Sequence, residues 1–262
     1  MIIATFNANS VRARMPVILA WLAANAPDAL CIQETKVRDE EFPADAFRDA
    51  GYHAVYKGEK SYNGVAILSK EPAERVLYGF DGAGADEGTR LVAAWISGVP
   101  VVNTYVPQGT DPQSPKFNYK LNWFARLGDF FSAHFSRHEP LIWLGDFNVA
   151  PERRDVYDPD GMYGHVGFHP DEHRALKALG AWGFVDVYRK FHRDGGHFSF
   201  WDYRLRDAVR RGQGWRVDHI WATPPAADRA RDAWIDVAPR LGERPSDHTF
   251  VCAKFDRQPI GV

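Results

Sequence analysis

Apolar runs rich in β-branched residues recur along the chain as MIIATF, DALCIQE, NGVAILS, TRLVAAWI, VPVVNTYV, PLIWLGD, FSFWDY, WRVDHIWA and HTFVCAKF, each bounded by turn residues. They predict nine strands. Helical signals lie between some of them. Pro16 opens one helix, read through Ala24, and Ser114 with Pro115 has the form of an N-cap followed by a first-turn proline. In that second helix Phe117, Leu121, Phe124, Phe131 and Phe135 keep to one stripe, as expected of a helix covering a sheet. A third is expected from about Pro170 to Leu179, with Ala175, Leu176 and Leu179 facing inward. Many strands and few helices predict an α/β fold of two packed sheets flanked by helices. Residues 149–168, rich in Gly, Asp and Tyr, and residues 202–214, dense in Arg, fit neither pattern. Long loops of this kind in a compact domain tend to be functional.

At 262 residues, 45% hydrophobic and 14% aromatic, the chain can bury a core without staples, and one domain over residues 1–262 is expected. Cys31 and Cys252 stand in apolar, strand-like surroundings with no metal or redox spacing, which fits a reducing cytoplasm. The first residues carry no export-signal pattern, and nowhere does the sequence reach the roughly 20 apolar residues that span a bilayer. A soluble, cytoplasmic monomer with no membrane partner is the expectation. The formal net charge of −2 does not advertise a polyanion partner, so any nucleic-acid footprint must be local.

Chemistry concentrates where the apolar runs stop. LIWLGDFN ends on Asp146 and Asn148, MIIATF leads to Asn7 and Asn9, and DALCIQ leads to Glu34. VPVVNT leads to Tyr105, WRV to Asp218, and HTFVCAKF is entered through Asp247 and His248. Residues i and i+2 of an extended chain project to the same face, so Asp146 and Asn148 can address one ligand. Each has an ordinary reading as well: Asp or Asn near Gly forms Asx turns, Glu34 is a surface partner for Lys36, and His248 is a plain exposed histidine. Six coincidences weigh against treating all of them so. If the ends converge, Glu34, Asp146, Asp218 and Asp247 join the amides of Asn7 and Asn148 in an oxygen-rich site suited to Mg²⁺ or Mn²⁺. Hard-metal carboxylates beside one histidine and one tyrosine suit phosphate-ester chemistry. No GxSxG elbow supports serine hydrolysis.

FNANSVRAR, IQETK, NGVAI, NTYVPQG, LGDFN, FSFWDYR, GWRVDHI and RPSDH, in this order along nearly the whole chain, resemble the exonuclease III type of abasic-site endonuclease within the DNase I-like phosphodiesterases. The resemblance implies a four-layer α/β sandwich of two mixed sheets, with Mg²⁺ as cofactor and Mn²⁺ as substitute. Its DNA substrate would be a duplex with abasic sites or 3′ ends. It makes Glu34 the main metal ligand with Asn7 beside it, and places Asp247 at a second metal position; Asp146, Asn148 and His248 complete the candidate metal-contacting set. Asp146 would position or deprotonate the attacking water, or donate to the leaving oxygen. Asn148 would hold the scissile phosphate, Tyr105 would contact it or assist the leaving group, and Asp218 would orient and charge His248. Phe200, Trp215 and Val217 match an apolar pocket for a flipped-out abasic sugar, and Arg204 matches a loop inserted into DNA. Arg206, Arg210, Arg211 and Arg216 would extend that basic patch, with Arg12 and Arg14 contacting backbone elsewhere.

Two departures stand out. Ser10 occupies a position where the family carries glycine, and GHVGFHPDEH adds His165, His169 and His173, expected at the surface. They leave the balance among abasic-site incision, 3′ exonuclease and 3′ phosphatase activity open. The alternatives are a phosphoinositide-type phosphodiesterase of the same superfamily and a non-catalytic DNA-binding scaffold.

Overall fold

A computed structural model describes residues 1–80 and 88–257. Its strands in chain order are β1 (Ile2–Asn7), β2 (Ala29–Gln33), β3 (His53–Lys57), β4 (Val65–Ser69), β5 (Val76–Tyr78), β6 (Leu91–Ile96), β7 (Val99–Tyr105), β8 (Ile142–Asp146), β9 (Val185–Asp186), β10 (Asp218–Ala222), β11 (Ala230–Asp236) and β12 (Phe250–Phe255). They form two six-stranded sheets, ordered β11-β12-β1-β2-β4-β3 and β5-β6-β7-β8-β10-β9. The β1–β2 and β7–β8 pairs are parallel and the rest antiparallel, so both sheets are mixed.

Eight of the nine expected runs are strands, and the four strands not foreseen, β3, β5, β9 and β11, are the four sheet edges. Edge strands are kept short or charged to discourage pairing with other chains, which erases the apolar signal. The exception among the nine is FSFWDY. Phe200 makes only isolated bridges, to Trp215 and to His248. The amides of Ser199 and Phe200 both donate to the Trp215 carbonyl, and the Trp201 amide turns away to the Asp247 carbonyl, so no ladder can extend.

Inner strands are buried on both faces, which explains their unbroken apolar runs. Ile3, Cys31, Ile67, Val92, Ala94, Ile142 and Leu144 fill the layer between the sheets. Their neighbours Ala4, Leu30, Ile32 and Leu68 face outward toward α1 (Val11–Asn25) and α2 (Ala44–Asp49). On the other sheet Leu91, Ala93, Val102 and Trp143 meet α3 (Pro115–His134) and α4 (Pro170–Gly183). Short helices α5 (Val187–Phe191) and α6 (Pro224–Ala227) close the edges. Helix, sheet, sheet, helix gives the four-layer α/β sandwich. Cys31 and Cys252 are free thiols buried in different layers. Among the described residues, no helix is long and apolar enough to cross a membrane.

Helix boundaries correct the expectations. The first helix starts at Val11, with the Ser10 hydroxyl accepting from the Ala13 amide, and Pro16 lies inside it. Proline removes the bond to the Arg12 carbonyl and crowds it with its ring, on a residue exposed to water. In α3 the stripe runs through Phe117, Trp123, Phe124, Leu127, Phe130 and Phe131, while Leu121 is only half-buried. Phe131 meets the Trp143 ring at 5.4 Å.

One polar device crosses the apolar middle. Gln33 Nε2 donates to Asn103 Oδ1 (2.7 Å) and Thr5 Oγ1 (2.8 Å), and Asn103 Nδ2 donates to the Ile32 and Ala66 carbonyls (3.0 and 2.9 Å). An amide pair left unmatched here would cost about 1–3 kcal/mol per group, so this link specifies how the two sheets register.

Candidate active site

The strand ends do converge. On one sheet, the register sets Tyr105 opposite Asp146 and Asp146 opposite Asp218, so β7, β8 and β10 bring three site residues into one row. Asn7 ends β1 on the other sheet, pairing with Gln33, and Glu34 follows β2 directly. Asn7 Nδ2 donates to Glu34 Oε1 (2.8 Å) and to Asp146 Oδ2 (2.9 Å), a single amide joining carboxylates from two sheets. Gly145 permits the close β7–β8 pairing that carries Asp146: it has φ +138°, and a Cβ there would lie 2.0 Å from the Thr104 carbonyl oxygen. Asn9, Glu34, Lys36 and Asn148 all have left-handed backbones, a concentration of strain characteristic of functional sites. Ser10 shares the feature at φ +92°, which explains why glycine suits that position.

Asp218 and His248 form the central pair. His248 Nδ1 donates to Asp218 Oδ2 over 2.8 Å, with both groups buried. The Ser199 hydroxyl accepts from the amides of Val217 and Asp218 (3.1 and 3.0 Å), fixing the start of β10. Burial alone would discharge the imidazole, but Asp218, Asp146 and Asp247 outweigh it and lift its pKa to about 10. His248 is therefore a cation at neutral pH. Asp146 is 1% exposed, and burial pushes its carboxyl up to about 7 despite the opposing His248 charge. Burial also resists ionisation of Glu34, but Lys36 and Asn7 hold its pKa below the ordinary value. Tyr105 is driven well above the usual phenol range by burial and by Glu34 and Asp146, so it keeps its proton.

Lys36 Nζ sits 2.7 Å from Glu34 Oε2 and 2.5 Å from Asn9 Oδ1, so the simple surface-partner reading of Glu34 holds in part. Asn9 Nδ2 in turn reaches Asp247 Oδ1 at 3.1 Å. Asn148 is held through its own amide, which bonds Asp146 Oδ1 (2.8 Å), and through Nδ2, which bonds the Val106 carbonyl and Asp146 Oδ2 (3.0 and 3.1 Å). A phosphate recruited by Asn148 must displace one of these side-chain acceptors.

Glu34, Asp146 and Asp247 offer carboxylate oxygens of the kind that suit a hard divalent cation, and Asn7, whose nitrogen faces Glu34 and Asp146, would join them only by turning its amide. One observation agrees: beside Asp146, Asp218 Oδ1 is buried without a hydrogen-bond partner. Asp146, Asp218 and His248 offer atoms within 4.8 Å of one another. His248 Nε2, 3.9 Å from Asp146 Oδ2, is the imidazole atom of this group that faces Asp146, while Nδ1 is taken by Asp218.

Of the residues expected to form an apolar pocket, two adjoin this row: Phe200 meets His248, and Val217 precedes Asp218. The Phe200 ring lies 4.8 Å from that of His248, Val217 is 6% exposed, and Trp215 packs with Ala150, Val156 and Phe168 beneath residues 149–168. Arg204 is exposed and gripped by Asp202, with Nε 3.0 and 2.9 Å from its two oxygens. Arg206 and Arg210 pair with Asp207, so the loop is less basic than its sequence suggests. Arg216 does not belong to that patch. It is fully buried, with Nε 2.6 Å from Asp155 and Nη2 2.7 Å from Asp186, and Nη1 donates to His219 Nδ1. Burial and Arg216 keep His219 neutral with a pKa near 4, and its Nε2 donates to the Val149 carbonyl. Arg12 approaches Glu41 and Arg14 donates to the Tyr203 hydroxyl (3.0 Å). His165 is exposed as expected, but His169 caps α4 and His173 bonds the Ala150 carbonyl, so these two brace the loop. Ser199 and Ser246 serve the site with little sequence signal; the one local sign is a serine two positions before His248, and its hydroxyl donates to the Asn7 carbonyl (2.7 Å).

A four-layer sandwich carrying this row of carboxylates, amides and an imidazole defines a phosphate-ester hydrolase. Residues 4–248 match the endonuclease/exonuclease/phosphatase family, and the chain belongs to it, as a member of the exonuclease III type. It is 31% identical to exodeoxyribonuclease III of Haemophilus influenzae over 96% of this chain and 98% of that one. An AP endonuclease from Archaeoglobus fulgidus superposes with a TM-score of 0.95 at 46% identity, covering 98% of this chain and 99% of that one. A 3′ phosphatase from Neisseria bound to product DNA hairpin superposes with a TM-score of 0.94 at 39% identity, over 98% and 99% of the respective chains.

Proposed function

We propose that this protein is a Mg²⁺-dependent DNA repair phosphodiesterase that cuts 5′ to abasic sites, leaving a 3′-hydroxyl, and also processes 3′ ends. The observation that carries the reading is the row Tyr105–Asp146–Asp218 with His248 bonded behind it and Asn7 tying Asp146 to Glu34. The names of the Haemophilus, Archaeoglobus and Neisseria proteins support a DNA substrate.

Glu34, Asn7, Asp146 and Asp247 would hold the cation, with Mn²⁺ as a substitute. When bound, it supplies Lewis-acid stabilisation of phosphate charge. The protein groups divide the remaining work. Protonated His248 sets fixed positive charge against the phosphate, in a buried setting where charge is weakly screened. Asp146, titrating near neutrality, is the group that exchanges a proton with the attacking water or the leaving oxygen. Tyr105 keeps its proton and can only donate, which suits a phosphate or leaving oxygen. Asn148 positions the phosphate. Phe200, Trp215 and Val217 receive the extruded sugar: an abasic nucleotide leaves the stack cheaply, whereas a normal one costs a few kcal/mol and carries a base the pocket must accommodate.

The test is product analysis on duplexes carrying one abasic analogue, a 3′-phosphate or a recessed 3′ end, with Mg²⁺ and with EDTA. Nicking of the abasic duplex with Mg²⁺ and not with EDTA is expected. Metal-independent cleavage, or phosphate release from phosphoinositides but not DNA, would overturn the reading. Binding of abasic DNA without turnover under any divalent metal would leave a scaffold.

A further inference from the structure

The only lysine of α3 whose side chain is fully buried, Lys120, meets an equally buried glutamate of α4, Glu172. No functional reading of the sequence uses either. Lys120 Nζ donates to Glu172 Oε1, to the Asn148 carbonyl (2.8 Å) and to the Gln108 carbonyl (3.2 Å), which accounts for all three of its protons. Glu172 Oε2 accepts from the Gly167 amide (2.8 Å) and the His169 amide (3.0 Å). The pair thus fastens the chain after β7, the turn after β8 and the end of the 149–168 loop to one point.

Each fastened segment borders the candidate site. Asn148 sits at φ +51°, and its carbonyl points inward onto Lys120 while its side chain serves Asp146. Gly167 O accepts from the Ala150 amide, and a Cβ at Gly167 would stand 3.2 Å from the Trp215 ring. Two buried charges are a poor way to gain stability, because an apolar pair of similar volume is often as good or better. An apolar pair cannot, however, donate to the inward carbonyls of Asn148 and Gln108. Burial also draws the lysine's pKa down, against the pull of Glu172.

We propose that Lys120 and Glu172 are positioning residues for the reaction: by holding the Asn148 carbonyl they fix the peptide plane that aims the Asn148 side chain, and by holding Gly167 they set the wall behind Trp215. This rests on the assignment of Asn148 to the scissile phosphate. Displacement of a reacting group by about 1 Å can cost about 10²-fold in rate, which is the scale expected when the hold is lost.

The experiment replaces the pair as a unit, K120M/E172M, with E172Q as a second, isosteric variant should the first not fold. The abasic duplex is cut with saturating Mg²⁺ in the wild-type, N148A and D218N backgrounds. The expected result is a fall in kcat of about 10²-fold with KM changed less than about 3-fold. That loss should persist in D218N and vanish in N148A, since a residue acting through Asn148 has nothing left to aim. Equal losses in all three backgrounds, or no loss in the wild type, would overturn the proposal. Amide hydrogen exchange on substrate-free protein reads the same contact independently. The pair variant should expose residues 147–150 and 167–169 selectively, and a uniform rise across the chain would contradict it. A wild type that leaves the abasic duplex intact would remove the assigned activity, while the exchange pattern would still decide whether the pair holds the turn.

Discussion

His248 Nδ1 lies 2.8 Å from Asp218 Oδ2, and this contact decides the charge state of the site. Asp218 is the foremost group raising the imidazole's pKa to about 10. In D218N the alkaline limb of the kcat profile should therefore move down toward neutrality, because the rate falls as pH rises through the pKa of a group that acts as a cation. Activity at pH 9 should drop much further than activity at pH 6. Parallel profiles for variant and wild type would show that Asp218 does not charge His248.

Asp146 titrates near 7 in a site that already holds three other carboxylates. D146N should lower kcat by about 10²–10⁴-fold, the range for loss of a general acid or base, while duplex binding stays within a few-fold. E34Q should instead raise the Mg²⁺ concentration needed for half-maximal rate. Equal metal dependence in E34Q and wild type would remove Glu34 from the cation's ligands.

Trp215 is held by its backbone to Phe200 and by its ring to Phe168 and Ala150, so its position is fixed before any substrate arrives. W215A should narrow the preference for abasic over intact duplex by about 10-fold or more, the scale of one lost apolar pocket contact. An unchanged preference would place selectivity elsewhere.

Arg204 must trade Asp202 for a phosphate if its loop engages DNA. R204A should reduce the slope of log affinity against log salt by about 1. D202N should tighten binding at low salt, because the arginine then has no internal partner to leave. A salt slope identical in R204A and wild type would put Arg204 outside the contact.

His219 is neutral in the folded protein, with its pKa lowered from 6.5 to about 4. The unfolded chain then binds more protons between those values, so stability is complete above pH 6.5 and declines as pH falls toward 4. The loss at the bottom of that window is about 3 kcal/mol for a shift of this size. Urea unfolding of wild type and H219Q across the window measures it; the variant should lack this share of the slope.

How much of this was legible beforehand follows from where each residue sits. Inner strands announced themselves because both of their faces are dry, whereas β3, β5, β9 and β11 border solvent and carry residues such as Arg231, Asp232 and Lys57 that read as loop. Asp146, Asp218 and His248 were visible as polar breaks at the ends of apolar runs. Arg216 reads as part of a basic patch because a sequence shows only that an arginine lies near other arginines; Asp155 and Asp186, 61 and 30 positions away, are its buried partners. Lys120 and Glu172 were invisible for a related reason, since each occupies an inward position of a helix whose pattern marks such positions by apolarity.

The Gln33–Asn103 link and the bridging Asn7 amide make the site a property of both sheets at once. In chain order, Asn7 and Glu34 come first and His248 last, on the approach to the final strand. Of the site's four carboxylates, Glu34 lies early in the chain, Asp146 midway, and Asp218 and Asp247 late beside His248, so no single stretch of sequence holds the chemistry. Either sheet folded by itself would leave the site unassembled, so catalysis and the joining of the two sheets should be gained and lost together.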